Sequence, residues 1–131
     1  MLLFKKKFID LIRSGEKTQT IRLWKCCRMK QGQRSYIPGI GYILITRVEP
    51  IELENLKDAD AVLDGFPSAD ALRAEICTLY AEDVRKKRRP FMIRFSVYSP
   101  SEQQRIAEEQ HENRERKAIL KSSYRYFSFG V

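Results

Sequence analysis

Histidine and cysteine are scarce in this chain, and their scarcity excludes several kinds of site. Among 131 residues the only histidine is His111, and the cysteines are Cys26, Cys27 and Cys77. A structural zinc site usually takes four Cys or His ligands at paired spacing, and no Cys-x-x-Cys pair is present. An odd number of irregularly spaced cysteines is not a disulfide framework. We therefore expect no metal and no cofactor, and interpret the cysteines as small packing residues.

Long apolar runs are absent too. No stretch approaches the ~20 consecutive apolar residues that a membrane-spanning helix needs. At the N-terminus, the apolar residues of Met-Leu-Leu-Phe precede Lys5-Lys6-Lys7, whereas a secretion signal places its charges first. We expect a cytoplasmic protein that is not inserted in a membrane.

The positive charge is abundant and unevenly distributed. The formal net charge is +8. Residues 1–50 carry 11 Lys or Arg and 3 Asp or Glu, and residues 85–98 carry 6 Lys or Arg and no Asp or Glu. Between them, residues 51–84 are acidic, with 2 Lys or Arg and 9 Asp or Glu. If the two basic segments meet in the fold, they form a basic face of the kind that binds nucleic acid. Charge that serves only solubility is the alternative, and composition does not separate the two.

Apolar periodicity predicts an α+β domain. A helical pattern near residues 4–12 ends at Gly15, which is free to adopt a left-handed cap. Strands are predicted over 34–37, over 40–48 with a break at Glu49-Pro50, and over 91–98, where alternation indicates a half-buried strand. Ser68 is predicted to cap a further helix, and the basic run 85–90 is predicted to be an exposed loop.

The C-terminal part differs from the rest. Ser99-Pro100-Ser101-Glu102 forms a capping box that predicts a helix, and residues 108–117 contain no large apolar residue, which indicates a solvated helix. The aromatic terminus 124–131 is predicted to dock on the body or on a second chain. We divide the chain into a domain of residues 1–98, a small mixed barrel with flanking helices, and a C-terminal extension of residues 99–131.

Residues 15–25 concentrate polar chemistry between the first helix and the first strand. The segment Gly-Glu-Lys-Thr-Gln-Thr-Ile-Arg-Leu-Trp-Lys holds an amine, hydroxyls, a guanidinium and an indole. Burying such a group without a partner costs about 1–3 kcal/mol, so we expect these groups to face solvent or a ligand. Side chains alternate along a strand, so Lys17 and Thr20 converge only if the strand begins after Lys17.

This segment resembles the signature of the ASCH domain, in the PUA-like superfamily. The resemblance rests on Gly-x-Lys-Thr-x-Thr-x-Arg after a short helix, followed in order by the turn 30–33, the strand 43–48 and Asp64-Gly65-Phe66 before a helix. It covers about residues 1–98. It implies a PUA-like mixed β-barrel with flanking helices, and a cleft beside the signature segment.

The resemblance also implies roles for individual residues. In ASCH proteins similar to bacterial N4-acetylcytidine amidohydrolases, a lysine, a threonine and a carboxylate act together. These positions match Lys17 and Thr20. The carboxylate matches Asp64 more loosely, because those amidohydrolases have glutamate there, and Asp58 and Asp60 are alternative counterparts. Thr20 would attack the acetyl carbonyl and a neutral Lys17 would take its proton.

Binding of nucleic acid requires fewer specific side chains than catalysis does. The cations and the indole suited to phosphates and base stacking are Arg22, Trp24, Lys25, Arg85, Lys86, Lys87, Arg88 and Arg89. PUA-like relatives commonly bind RNA. We therefore expect an ASCH-type domain that binds RNA or a modified nucleoside in a basic cleft. The alternatives are a metal-independent amidohydrolase that acts on N4-acetylcytidine, and an interaction module that self-associates through the C-terminal tail.

Overall fold

The computed structural model describes residues 1–129, with side chains described through Ser123. The chain divides into two compact units, Met1–Val97 and a second unit that begins at Tyr98. No helix within the described residues is both long and apolar enough to span a bilayer.

The first unit is built on a four-stranded antiparallel sheet that curls into a half-barrel. Its strands are β1 (Gln19–Trp24), β2 (Arg34–Ile37), β3 (Gly41–Pro50) and β4 (Arg89–Val97), in the spatial order β1-β4-β3-β2. Four helices accompany it: α1 (Lys6–Ser14), α2 (Asp58–Leu63), α3 (Ala69–Leu79) and α4 (Glu82–Lys87), with a 3-10 turn at Leu53–Asn55. The α+β class with flanking helices is confirmed.

Local sequence signals explain where several elements begin and end. Gly15 ends α1 with φ of 86°, a left-handed conformation that favours glycine. Ser68 caps α3, because its hydroxyl accepts a hydrogen bond from the backbone N of Ala71 at 3.1 Å. Both caps were predicted, and both are confirmed.

The buried side chains form two clusters. The first joins the N-terminal segment and α1 to strands β2, β3 and β4, with Ile12, Ile43 and Phe95 among its members. The second joins β1 to α2 and α3, through residues such as Ile21 and Leu72. Strand β1 contributes Ile21 and Leu23 to the second cluster, while Thr20 and Arg22 of the same strand line a cavity.

Three sequence expectations are wrong in detail. Strand β3 continues through Pro50 instead of breaking at Glu49, and it pairs there with Phe91 of β4. Strand β4 is not half-buried along its length, because Phe91, Met92 and Ile93 are all buried and both faces are therefore covered. The basic run is not an exposed loop: α4 includes residues 85–87, and β4 begins at residue 89.

The second unit contains the helix α5 (Pro100–Phe129). Its start is the predicted capping box, in which Ser99 Oγ accepts from the backbone N of Glu102 at 3.3 Å and Glu102 Oε1 accepts from the backbone N of Ser99 at 3.4 Å. The solvated helix predicted over residues 108–117 is confirmed. The side chains of the aromatic terminus 124–131 lie outside the described residues, so its docking stays a prediction.

Candidate functional site

Lys17 lies between the end of α1 and the start of β1. Its backbone N donates to the carbonyl of Leu11 at 3.0 Å, and the backbone N of Thr18 donates to Leu63 at 2.9 Å. The chain is therefore still turning at Lys17, and β1 begins only at Gln19. This late start is the condition under which Lys17 and Thr20 were expected to converge, and both side chains line one cavity.

The Lys17 amine is buried against a carboxylate. Its side chain is 2% exposed, and Nζ lies 2.5 Å from Oδ1 of Asp64, whose side chain is 4% exposed. Nζ also donates to the backbone carbonyl of Asp64. The ring centroids of Phe8, Phe4 and Phe66 lie 4.8, 5.7 and 5.8 Å from Nζ. These π faces stabilise a cation at this position, in addition to the carboxylate.

Burial moves both members of the pair toward their neutral forms. Desolvation lowers the pKa of Lys17, while Asp64 raises it and the nearby Arg22 lowers it further. Desolvation likewise raises the pKa of Asp64, against the opposing effect of Lys17. Transfer of a proton from the amine to the carboxylate therefore costs less free energy here than in water.

The structure distinguishes among the three aspartates that the sequence left open. Asp58 Oδ1 accepts from the backbone N of Ala69 at 2.8 Å, and Asp60 Oδ2 accepts from the backbone N of Lys57 at 3.2 Å. Both of these carboxylates therefore serve as hydrogen-bond acceptors for backbone N–H groups at the start of a helix. Asp64 alone of the three lines the cavity with Lys17.

Thr20 is held from one side by Arg22. Thr20 is only 5% exposed, and its hydroxyl oxygen accepts a hydrogen bond from Arg22 Nε at 3.3 Å. The guanidinium also donates to the carbonyl of Leu3 at 2.7 Å, and its carbon lies 4.7 Å above the ring of Phe4. Because Arg22 can only donate, the Thr20 hydroxyl keeps its own hydrogen available for another acceptor.

These groups surround a cavity of about 230 Å³. Its walls come from the N-terminal segment, α1, the start of β1 and α3. Several lining side chains were not assigned to a site by the sequence reasoning, and they include Phe4, Phe8, Phe66, Glu75 and Tyr80. The spacing of Phe4 and Phe8 predicted a core-facing helix, and periodicity does not distinguish a side chain that faces the core from one that faces a cavity.

The other predicted nucleic-acid contacts do not line this cavity. Trp24 is half-buried, with its ring centroid 5.7 Å from that of Phe91, and Lys25 is exposed. Arg89 pairs with Trp24 across β1 and β4, whereas Thr20 pairs with Ile93. Four residues of strand separate these two pairs, roughly 13 Å. None of the residues from Arg85 to Arg89 lines the cavity, although Arg85 Nη1 donates to Sγ of Cys77 on α3 at 3.2 Å.

Gly65 packs against the site, and a matched pair of glycine substitutions tests how tightly. Gly65 and Gly15 share a left-handed backbone, with φ of 87° and 86°. A Cβ at Gly65 would lie 3.0 Å from Leu11 Cδ1 and 3.6 Å from Lys17 Cδ, whereas one at Gly15 meets nothing within 4 Å.

Gly15→Ala should lower the free energy of unfolding by about 1 kcal/mol, from the backbone alone. Gly65→Ala should lower it by about 1 kcal/mol more, since Leu11 must also move. Urea unfolding of both variants measures the difference, and equal losses would contradict close packing at Gly65.

The fold is shared with solved structures of low sequence similarity. The crystal structure of hypothetical protein PH0355 matches with a TM-score of 0.63 and 19% identity, over 73% of this chain and 95% of that one. Protein EF3133 from Enterococcus faecalis V583, described as a DUF984 protein, matches with a TM-score of 0.55 and 19% identity, over 70% of this chain and 69% of that one. No protein-family model matches the chain, and no curated protein matches it. At this level of identity the similarity concerns the fold alone.

Proposed function

We propose that this protein binds a nucleoside, free or as a unit of RNA, in the cavity beside β1. The observation that carries the proposal is the buried Lys17–Asp64 pair, which lines an aromatic-walled cavity of about 230 Å³ together with Thr20. Pockets for drug-sized ligands are about 300–1,000 Å³, so this cavity suits a small ligand and not a folded polynucleotide.

The lining offers both kinds of contact that a nucleobase uses. Phe4, Phe8 and Phe66 contribute apolar ring surface to the lining, which favours the apolar edge of an aromatic ligand. Asp64 and Thr20 supply an acceptor and a hydroxyl, and Lys17 supplies a donor, so the ring edge would meet complementary groups. A buried polar site of this kind discriminates strongly against ligands that leave its groups unpaired.

The sequence resemblance supports the same proposal. The Gly-x-Lys-Thr-x-Thr-x-Arg segment that resembles the ASCH signature supplies Lys17, Thr20 and Arg22, and PUA-like relatives commonly bind RNA. In an RNA ligand, the exposed cations Lys86, Lys87 and Arg89 would contact phosphates beyond the cavity.

Salt dependence tests the proposal with one protein and two ligands. A nucleoside carries no phosphate, so its affinity, measured by calorimetry across a nucleoside panel, should change little between 50 and 200 mM salt, roughly less than twofold. The affinity for single-stranded RNA should fall log-linearly, with a slope of about −0.7 for each phosphate contacted.

A surface variant supplies the control. Lys86→Ser/Lys87→Ser should reduce the magnitude of the RNA slope by about 1.4, about 0.7 for each lysine, and leave nucleoside binding unchanged, because neither lysine lines the cavity. Lys6→Ser, an exposed lysine at the start of α1, is the matched change elsewhere on the surface. Absence of nucleoside binding across the panel would overturn the proposal.

An amidohydrolase acting on an N4-acylated cytidine is the second candidate, and the bonding of Lys17 favours it. A neutral amine has two hydrogens and one lone pair. While Asp64 is ionised, its backbone carbonyl and its Oδ1 accept these two hydrogens, so the lone pair is the remaining site. The lowered pKa of Lys17, caused chiefly by burial, makes that neutral form accessible.

The reaction would then proceed in balanced steps. Thr20 Oγ forms a bond to the acyl carbon while its proton passes to Lys17, and Arg22 Nε stabilises the charge on that oxygen. The carbon–nitrogen bond breaks as Lys17 returns the proton to the leaving amine. Water, deprotonated by Lys17, then attacks the Thr20 ester, and the proton returns to Thr20 as the carboxylic acid leaves.

A further inference from the structure

Gln19 connects the Lys17–Asp64 pair to a charged residue on the neighbouring strand. It is fully buried, and its Nε2 donates to Asp64 Oδ2 at 3.3 Å and to the backbone carbonyl of Asp60 at 3.2 Å. Its Oε1 accepts from Arg94 Nε at 3.2 Å. Gln19 and Arg94 are register partners on β1 and β4, so the contact follows directly from strand pairing.

Arg94 determines which way the Gln19 amide faces. A guanidinium has only donors, so the Gln19 group next to it must be the carbonyl oxygen. The amide hydrogens must then face Asp64 and Asp60. Arg94 is in turn held by Asp60, with Nη2 lying 3.6 Å from Oδ1. The hydrogen-bond network therefore fixes the orientation of this amide.

This orientation restricts where Asp64 can hold a proton. Oδ2 receives a hydrogen from Gln19 and therefore acts as an acceptor, while Oδ1 faces Lys17 Nζ at 2.5 Å. We propose that Gln19, oriented by Arg94, is the positioning residue of this site: it keeps Oδ2 of Asp64 as an acceptor, so that a proton on Asp64 lies on Oδ1, within reach of Lys17. The pair then passes a single proton between Nζ and Oδ1.

The inference rests on the proposed function, because it concerns the protonation of the same pair. Several charged or titratable groups face that pair from the elements packed around it. They are Lys5 before α1, Arg22 on β1, Asp60 on α2, Glu75 and Tyr80 at α3, and Arg94 on β4. Of these, Arg94 is the one that acts through Gln19.

Carbon-detected NMR titration of the Asp64 carboxyl in the ligand-free protein tests the inference. Arg94→Met frees the Gln19 amide to turn away, which should shift the Asp64 titration midpoint upward by about one pH unit, since a donor to the charged form is lost. Arg94→Gln keeps an N–H donor but removes the charge, and its midpoint should stay near that of the wild type. Asp64→Asn identifies the signal.

Two results would overturn the inference. One is an unchanged midpoint in Arg94→Met. The other is equal shifts in Arg94→Met and Arg94→Gln, which would mean that the guanidinium acts through its charge alone. Gln19→Met removes the donor itself and should give the same upward shift, so the inference stays falsifiable if Arg94→Met fails to fold. Because the titration uses the protein without ligand, its outcome is separate from whether the protein binds a nucleoside.

Discussion

Lys17→Met is expected to lower the free energy of unfolding by about 3–5 kcal/mol at neutral pH, the usual effect of removing one member of a buried ion pair. The substitution leaves Asp64, 4% exposed, without the cation that lies 2.5 Å away. Gln19 would still donate to Oδ2, but one neutral amide does not replace an ammonium group. Urea or thermal unfolding measures the loss.

A second substitution shows whether the loss of stability comes from the unpaired charge of the Asp64 carboxylate. Lys17→Met/Asp64→Asn removes both charges, while the introduced amide oxygen would still accept from Gln19, so the double variant should recover at least half of the lost stability, roughly 2 kcal/mol. Lys5→Met is the surface control: Lys5 lies 3.5 Å from Glu75 with its side chain 55% exposed, and its loss should be about 0–1 kcal/mol. A double variant no more stable than Lys17→Met would contradict this account.

The loss in Lys17→Met should also shrink as the pH falls. Burial already raises the pKa of Asp64 above its ordinary 3.8, and removing Lys17 takes away the main opposing charge. A carboxyl with a raised folded-state pKa binds more protons in the folded protein than in the unfolded chain, so stability is lost as the pH rises through that window. The variant should therefore approach the wild type most closely at acid pH, where Asp64 is neutral.

Much of the fold could be predicted because its boundaries are set by local chemistry. Gly15, Ser68 and the Ser99–Glu102 capping box each satisfy terminal backbone groups with their own side chain or conformation, and these interactions involve residues close in sequence. Helix α4 was missed because Val84 is its only large apolar residue. Its acidic first turn, with Glu82 and Asp83, and its basic last turn match the helix dipole, and this signal could have found it.

The site could be predicted only in part, because its composition depends on tertiary contacts. Residues near β1 could be proposed from their chemistry, but the choice of Asp64 over Asp58 and Asp60 required knowing that the other two accept hydrogen bonds at helix starts. No role was predicted for Gln19. Its contacts to Asp64 and Arg94 span 45 and 75 residues, and no local pattern encodes them.

Thr20→Ala is expected to lower turnover of N4-acetylcytidine by about 10⁴-fold or more, if the protein is an amidohydrolase, because the variant lacks the nucleophile. Cytidine release, followed by chromatography, measures the loss. The cavity walls remain in place, so affinity for the acetylated nucleoside should stay within about tenfold of the wild type. Thr20→Ser keeps the hydroxyl and should retain turnover within about tenfold.

Thr18 provides the matched control for this substitution. It is the same residue type, two positions earlier. Its backbone N donates to the carbonyl of Leu63, and its own carbonyl accepts from the backbone N of Phe95. It is not among the residues that line the cavity. Thr18→Ala should therefore leave turnover unchanged, and a loss equal to that of Thr20→Ala would point to disturbed folding.

The two measurements on Thr20→Ala separate the two proposed functions. Retained affinity with abolished turnover means that the cavity binds a nucleoside and that Thr20 Oγ carries the chemistry. Unchanged turnover would exclude this nucleophile, and the hydroxyl that Arg22 holds at 3.3 Å would then serve recognition alone. Wild-type binding without turnover would leave the Lys17–Asp64 pair as a recognition element, in which the shared proton determines whether the ligand meets a donor or an acceptor.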